Sequence, residues 1–349
     1  GEIPARHARR MGEIPARHAR RMGEILARHA RRMGEVPARY ARRMGEIPAR
    51  HARRMGEILA RCARRMGGIP ARHARGRIVR LDETLDTILA AHDYPAPITH
   101  LLGEALVLAV LMGGLVKDDG SQVTMQAQTE SGAVNLLVCD YKGGELRGYV
   151  DFDEAKLAEL GANPSLFALF GKGYLAITFD LAGGQGRYQG IVPLEGDSLT
   201  EACERYFHQS EQVPTLIRCA VRSDGSGVQA AGLLVQHLPE GEEGRERLHA
   251  KLDHPEWEHV AIIAGSLRHE ELLDAKLSLE AIAWRLFHEE DEIRIEHGAA
   301  ISRGCRCSVG HYRDVLSRFP EEQRAEMRDD DGIVFVDCAF CSKQFGIEI

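Results

Sequence analysis

Four cysteines near the C-terminus constrain this chain more than any other feature. They stand as two pairs, Cys305-Arg-Cys307 and Cys338-Ala-Phe-Cys341, with 30 residues between the pairs. Zinc prefers four soft or borderline donors in a tetrahedron, with Zn–S near ~2.3 Å, and two local cysteine pairs brought together by folding supply such a set. Cys-x-x-Cys recurs in many sites of this kind; Cys-x-Cys is rarer and therefore more diagnostic. The surrounding unit, residues 303–349, is poor in large apolar side chains, the main ones being Val309, Leu316, Phe319, Ile333, Val334, Phe335, Phe340 and Phe345. Units of about 40 residues fold alone only with a metal, disulfides or a partner. Metal binding and folding are therefore expected to be one equilibrium, driven by about 10–16 kcal/mol of apparent zinc affinity. Oxidising the thiolates would remove the ligands and unfold the unit, which gives the site the character of a chemical trigger.

Other readings of the same residues stay open. The metal could be purely structural. A zinc deaminase wants His-x-Glu followed by Pro-Cys-x-x-Cys; His269-Glu270-Glu271 and His288-Glu289-Glu290 match the first half, but Asp337 stands where Pro should be and Cys305 and Cys307 would have no role. A thioredoxin-type enzyme would place Cys338 and Cys341 near a βαβ unit, and the pattern contains none. A nucleic-acid-binding ribbon fits poorly, because residues 303–349 carry seven basic against nine acidic side chains. Cys139, Cys203 and Cys219 fall in apolar stretches and read as small core residues.

Charge divides the rest of the chain. Residues 1–76 hold 20 Arg and 6 Glu, a net of +14, whereas the remaining 273 residues hold 25 basic and 46 acidic side chains, a net of −21. So acidic a body argues against nucleic-acid binding, which needs clustered Lys and Arg. The basic part is a tandem repeat: residues 1–66 are six copies of an 11-residue unit, Gly-Glu-Ile-Pro-Ala-Arg-His-Ala-Arg-Arg-Met, with a degraded seventh to Gly76. Recurrent Gly and Pro break a helix, and one aliphatic residue plus one Met per unit bury too little to offset ordering entropy. The tail is expected to be disordered and Cys62 within it to be no ligand. Cutting the chain after residue 74 is expected to leave metal binding and function intact. The basic start is followed by no apolar core of a secretory signal, and the longest uncharged apolar run, Ala105–Val116, is shorter than the ~20 residues of a membrane span. A soluble, cytoplasmic chain follows, with no membrane partner.

The body reads as α+β with a mainly antiparallel sheet. A short helix carries Leu85, Ile88 and Leu89 behind Asp82, and a longer one follows Pro97 and stops at Gly113-Gly114. The period then changes to two. Ala133–Cys139 and Glu145–Phe152 flank Lys142-Gly143-Gly144 as a hairpin, and strands are expected at Tyr174–Leu181, Arg187–Leu194, Thr215–Arg222 and Gly227–His237. Ser198 and Glu201 open a helix as a capping box. Beyond the hydrophilic joint at 239–244, a highly charged helical segment keeps one apolar stripe, including Trp257, Val260, Leu267, Ile282 and Leu286. Such a stripe needs a partner surface, since the segment has little stability of its own. The organisation expected is a disordered tail at 1–76, a core domain at 77–239, a charged helical linker at 240–302 and a metal-binding unit at 303–349.

Several stretches, in order, carry a family resemblance: Ala91-His-Asp-Tyr-Pro95; Arg187-Tyr-Gln-Gly190 with Leu194-Glu-Gly-Asp-Ser198; Tyr206-Phe207 with Ser210-Glu-Gln-Val-Pro214; Ala283-Trp-Arg-Leu-Phe-His-Glu-Glu290; and the two cysteine pairs. From about Arg75 to the C-terminus the chain resembles the heat shock protein 33 family, bacterial redox-regulated chaperones. The resemblance implies no enzyme activity and a reduced, inactive state holding one Zn2+ through Cys305, Cys307, Cys338 and Cys341. It implies that on oxidation zinc leaves, disulfides join Cys305 to Cys307 and Cys338 to Cys341, the metal unit and linker unfold, and unfolding client proteins are held without ATP by a chain that dimerises. The stripe from Trp257 to Phe287 and the sheet beneath it are the expected client surface. One departure stands out: the family's own first segment, rich in Arg, Leu and Phe, is replaced here by the repeats.

Overall fold

The computed structural model describes residues 64–349 except 117, 130, 185, 225, 226 and 239–253; the expectations for residues 1–63, Cys62 included, lie outside the described residues. Strands β1 (Arg64–Ile69) and β2 (Ala74–Leu81) lead into helices α1 (Glu83–Leu89) and α2 (Ala96–Gly113). Strands β3 (Gln122–Thr129), β4 (Val134–Lys142) and β5 (Glu145–Phe152) follow, then short helices α3 (Glu154–Glu159) and α4 (Leu166–Phe170). Strands β6 (Gly173–Leu181) and β7 (Gly186–Pro193), helix α5 (Leu199–Tyr206) and strands β8 (Thr215–Asp224) and β9 (Gly227–His237) complete the core. Helices α6 (Pro255–Gly265), α7 (His269–Leu273) and α8 (Leu279–Phe287) precede two short strands, β10 (Arg294–His297) and β11 (Ser302–Arg303). The chain ends in helices α9 (Val309–Leu316) and α10 (Glu321–Met327) and the hairpin β12 (Ile333–Asp337) and β13 (Gln344–Glu348).

Two sheets share one helix. The five-stranded sheet has the order β10-β1-β2-β9-β8, and the six-stranded sheet β11-β5-β4-β3-β6-β7. Pairing is antiparallel except for the two-residue β11 beside β5. Helix α2 packs on β2, β8 and β9 of one sheet and on β3, β4 and β5 of the other. That placement explains a helix whose apolar residues, among them Leu102, Leu106, Leu108, Leu111 and Met112, run round every side and are all buried. It meets the length and hydropathy of a membrane span, but those residues are spent on the core of the protein. The period-two expectations hold closely. The Gly143-Gly144 turn has both residues at positive φ, 53° and 93°, which joins β4 to β5 through two residues with the twist a tight hairpin needs. Ser198 accepts from the Glu201 N–H at 3.2 Å, but the Glu201 carboxylate reaches back to the Asp197 N–H rather than to Ser198.

The outer face of the five-stranded sheet is covered by the apolar stripe. Trp257, Val260, Ala264, Leu267, Leu279, Ile282 and Phe287 are buried against Ile69, Ile78, Ala220, Ala231, Leu233 and Val235, with Leu286 packed at the margin. Two polar clasps hold the stripe down. Arg80 on β2 is buried and donates through Nε and Nη2 to the Leu272 carbonyl (3.0 and 2.7 Å) and through Nη1 to that of Leu277 (3.0 Å), satisfying acceptors in the α7–α8 connection. Glu290 takes Arg72 Nε and His259 Nε2, each at 2.9 Å. Burial pushes the Glu290 carboxyl up, but these hydrogen bonds outweigh it and hold the group below the usual carboxylate range. The clasp is therefore present at neutral pH and is lost as pH falls through that lowered value.

The structure corrects the boundary of the tail. Residues 64–76 are the last repeat residues, yet β1 lies between β2 and β10, and β10 has no other strand neighbour among the described residues. Glycine and arginine give β1 little strand preference of its own; ladder bonds on both sides and the buried Ile69 supply what propensity lacks. Cutting after residue 74 would thus remove β1 and Arg72, the partner of Glu290, and is not neutral. A chain beginning at residue 63 is expected to keep the amides of Arg294–His297 protected from hydrogen exchange, and one beginning at residue 75 to lose that protection; equal protection in both would contradict this role for β1.

By its internal contacts the chain divides inside the Cys-x-Cys pair, with residues 307–349 a compact unit distinct from the described residues before them. That unit has a thin core: only Leu316, Val334 and Ile347 form its buried cluster, with Tyr312, Met327, Val336, Phe345 and Ile349 packed round it. Val309 and Phe335 are 40 % and 47 % exposed. Strand alternation puts Val334 and Val336 inward and Phe335 outward, so the unit buries even less than its composition suggests.

Candidate metal centre

Each cysteine is placed by local chemistry. Upstream of the first pair, β11 runs beside Glu145 and Leu146 of β5, and the Gly304 N–H donates to the Leu146 carbonyl at 2.9 Å. A Cβ at position 304 would come within 2.4 Å of Glu145 Cβ, so the close approach that delivers Cys305 requires glycine. Between the two cysteines, Arg306 turns to the six-stranded sheet: Nη1 donates to Gln122 Oε1 at 2.5 Å and Nη2 lies 3.5 Å from Asp140 Oδ2. Asp140 is buried and also takes Arg147 and the Thr124 hydroxyl, at 2.5 and 2.6 Å. Residues on both sides of Cys305 are thus stitched to the sheet. Cys307 then leads into α9, whose first turn is capped by Ser308 Oγ accepting from the His311 N–H at 3.1 Å.

The second pair sits on the turn that joins β12 to β13. The Cys338 N–H donates to the Lys343 carbonyl (2.9 Å), and the Cys341 and Ser342 N–H groups fold back on the Cys338 carbonyl (3.3 and 2.8 Å). Ser342 takes the left-handed conformation, φ 54°, which closes the turn tightly enough to aim both sulfurs the same way. All four Sγ atoms lie within 4.8 Å of one another, with Cys307 Sγ and Cys341 Sγ 3.5 Å apart. Four thiolates around one zinc at ~2.3 Å stand about 3.8 Å from one another, so the set fits a tetrahedral ion with small adjustments. The 3.5 Å separation is far outside the ~2.05 Å of an S–S bond, so Cys307 and Cys341 are not joined to each other. Cys338 and Cys341 are buried, and Cys305 and Cys307 are half-buried, which leaves the first pair the more open to small reagents. Among the described residues this is the one cluster of His, Cys, Asp and Glu able to hold a metal ion.

The other thiols lie elsewhere. Cys139 and Cys203 are fully buried and Cys219 is half-buried, and burial pushes all three thiols well above their ordinary value. A raised pKa leaves little thiolate at neutral pH, and the thiolate is the reactive form. Iodoacetamide at pH 7.5 is accordingly expected to leave these three unmodified in the folded chain and to label them on unfolding. Mass spectrometry showing native labelling of Cys139 or Cys203 would contradict the expectation. The sequence reading missed Arg306, Asp140, Arg80 and Glu290 as anchoring residues. The position of Arg306 inside Cys-x-Cys was a visible signal, but nothing in the sequence says which carboxylate it meets.

An α+β body with two sheets on one central helix, a thin C-terminal unit and a cluster of four cysteines able to hold a metal define this protein's class. Residues 67–348 match the family model described as Hsp33 protein, and the chain belongs to that family. Among its relatives are the 33 kDa chaperonins of Caulobacter vibrioides, 36 % identical over 282 residues (78 % of this chain and 90 % of the relative), and of Shigella boydii, 35 % identical over 274 residues (78 % and 87 %). The crystal structure of the 33 kDa chaperonin from Thermotoga maritima has the same fold, with TM-score 0.68 and 23 % identity over 82 % of this chain and 95 % of that one. The chain is a chaperone, not an enzyme, and its partners are client proteins.

Proposed function

We propose that this chaperone is an ATP-independent holdase switched by oxidation, with Zn2+ held by Cys305, Cys307, Cys338 and Cys341 in the reduced, inactive state. The observation that carries the reading is the four-sulfur cluster, three of its cysteines in a unit with three buried core residues, within a chain of this family. When bound, the ion keeps all four sulfurs as thiolates at neutral pH. Peroxide then takes two electrons from each pair: two thiolates and one H2O2 give one disulfide and two hydroxide ions. Cys305 pairs with Cys307 and Cys338 with Cys341, and neither pair remains a ligand set. A disulfide across one intervening residue is strained and easily reduced again, which suits a reversible switch. Heat assists by loosening the small unit.

Loss of the metal unit then loosens the helices of residues 254–302, so that Trp257, Val260, Leu267, Ile282 and Leu286 and the sheet face beneath them become the client surface. The burial of that stripe on the five-stranded sheet supports this reading, because only a covered apolar face can be switched on by uncovering. The oxidised chain is proposed to dimerise, and the switch suits the cytoplasm, where thiols are kept reduced. The test measures metal content and suppression of aggregation of a thermally unfolding client on one sample, before and after peroxide at elevated temperature. One zinc per reduced chain, released as holdase action appears, is the expected result. Suppression that is equal in both states, or catalytic turnover of disulfide substrates, would replace the reading by an adaptor or an oxidoreductase.

A further inference from the structure

Between the helices that cover the five-stranded sheet and the last residue of the body, Arg306, lies a short segment bound to the opposite side of that body. Ile301 is 1 % exposed and belongs to the core cluster around α2, not to the cluster of the stripe. Its carbonyl accepts the Thr84 hydroxyl at 3.0 Å, and the Ser302 N–H donates to the Gly144 carbonyl at 2.9 Å. The Gly304–Leu146 bond and the contacts of Arg306 with Gln122 and Asp140 continue the attachment. Residues 301–306 are thus held by backbone bonds, one apolar side chain and one ion pair. Their partners named here come neither from residues 254–287 nor from beyond residue 306, so the attachment depends on neither neighbour being folded.

We propose that residues 301–306 are an anchor that limits how far unfolding begun beyond residue 306 runs into the body. The near end of the stripe segment is fixed as well, by β9, which ends at His237. Helices α6–α8 therefore sit in a stretch of roughly 60 residues held at both ends, and releasing them with the anchor in place makes a closed loop. With the anchor gone, the same release makes a free tail. A closed loop of that length has fewer conformations than a free tail by a factor on the order of 10², which favours the docked stripe. The inference rests on the stripe being the client surface and adds its regulation: metal loss frees the residues beyond 306, and the stripe is uncovered as the anchor leaves its sites.

Hydrogen exchange of the full-length, reduced, metal-free chain at room temperature is the test. The amides of α6 and α8 should keep their protection while those of residues 307–349 lose it. Gly304→Ala should accelerate exchange on α6 and α8 roughly 10- to 100-fold, because the added Cβ would stand 2.4 Å from Glu145 Cβ and drive β11 off β5. Glu145→Gly removes the atoms that the new Cβ strikes, so Gly304→Ala combined with Glu145→Gly should restore the protection. Ile301→Ala, which leaves the backbone ladder alone, is a second variant and should accelerate the same amides. Protection of Gly173–Leu181 reports in each case that the body is folded. Free exchange of α6 and α8 in the metal-free parent chain would overturn the proposal, and so would exchange in both variants no faster than in the parent. Aggregation suppression enters none of these outcomes, so a chain that is no holdase would refute the proposed function without deciding the anchor.

Discussion

Stripping the metal from the reduced chain with a chelator is expected to unfold residues 307–349 as a unit while the two-sheet body stays folded. Three buried side chains form the core of that unit, and Val309 and Phe335 face outward. A core of that size does not balance the conformational entropy of more than 40 residues, and about 10–16 kcal/mol of apparent zinc affinity is the term large enough to close the gap. Hydrogen exchange should show Ile333–Asp337 and Gln344–Glu348 losing all protection with the chelator, and equally in a variant with Ser at 305, 307, 338 and 341. Gly173–Leu181, in the middle of the six-stranded sheet, should keep its protection in both cases. Persistent protection of the β12–β13 hairpin in metal-free protein would show that its side-chain core suffices.

Val260→Asp is expected to give a reduced, metal-loaded protein that already holds clients. Val260 is 0 % exposed within an apolar cluster to which the strands under α6 contribute Ala220, Ala231, Leu233 and Val235, side chains that offer a carboxylate neither a donor nor a counter-charge. An unpaired buried charge costs about 3–5 kcal/mol, more than an 11-residue helix such as α6 can recover from its own propensity. The Arg80 and Glu290 clasps hold the margins of the stripe but do not reach its centre, so α6 should leave the sheet and uncover it. Ile262 on the same helix is 66 % exposed, which makes Ile262→Asp the control for charge alone. The measurement is aggregation suppression under reducing conditions, with zinc content followed in parallel. An inactive Val260→Asp protein with exposed α6 amides would place the client surface elsewhere, and activity in the Ile262→Asp control would mean that charge, not uncovering, is responsible.

Elements whose cause lies within a few residues were legible before the fold was known. Two glycines at positive φ close the β4–β5 hairpin, Ser198 caps α5, Pro97 lies in the first turn of α2, one residue inside the start at Ala96, and a helix apolar on every side announced its own burial. The four-cysteine cluster was legible for the same reason: Cys-x-Cys and Cys-x-x-Cys each bring two sulfurs together locally, and four thiols with so little apolar surface around them have few other uses. Residue type and spacing alone therefore determined the two cysteine pairs, the mainly antiparallel α+β body and the stripe that needed covering. Tertiary structure decided the rest. A strand made of Arg, Met and Gly has no preference that reveals it, and β1 exists because β2 and β10 offer unpaired backbone groups on either side. Arg306 finds Asp140 across 166 residues of chain, and Glu290 finds Arg72 across 218. Long-range pairings leave no periodic trace, because which donor meets which acceptor is settled only when the sheets have closed round α2.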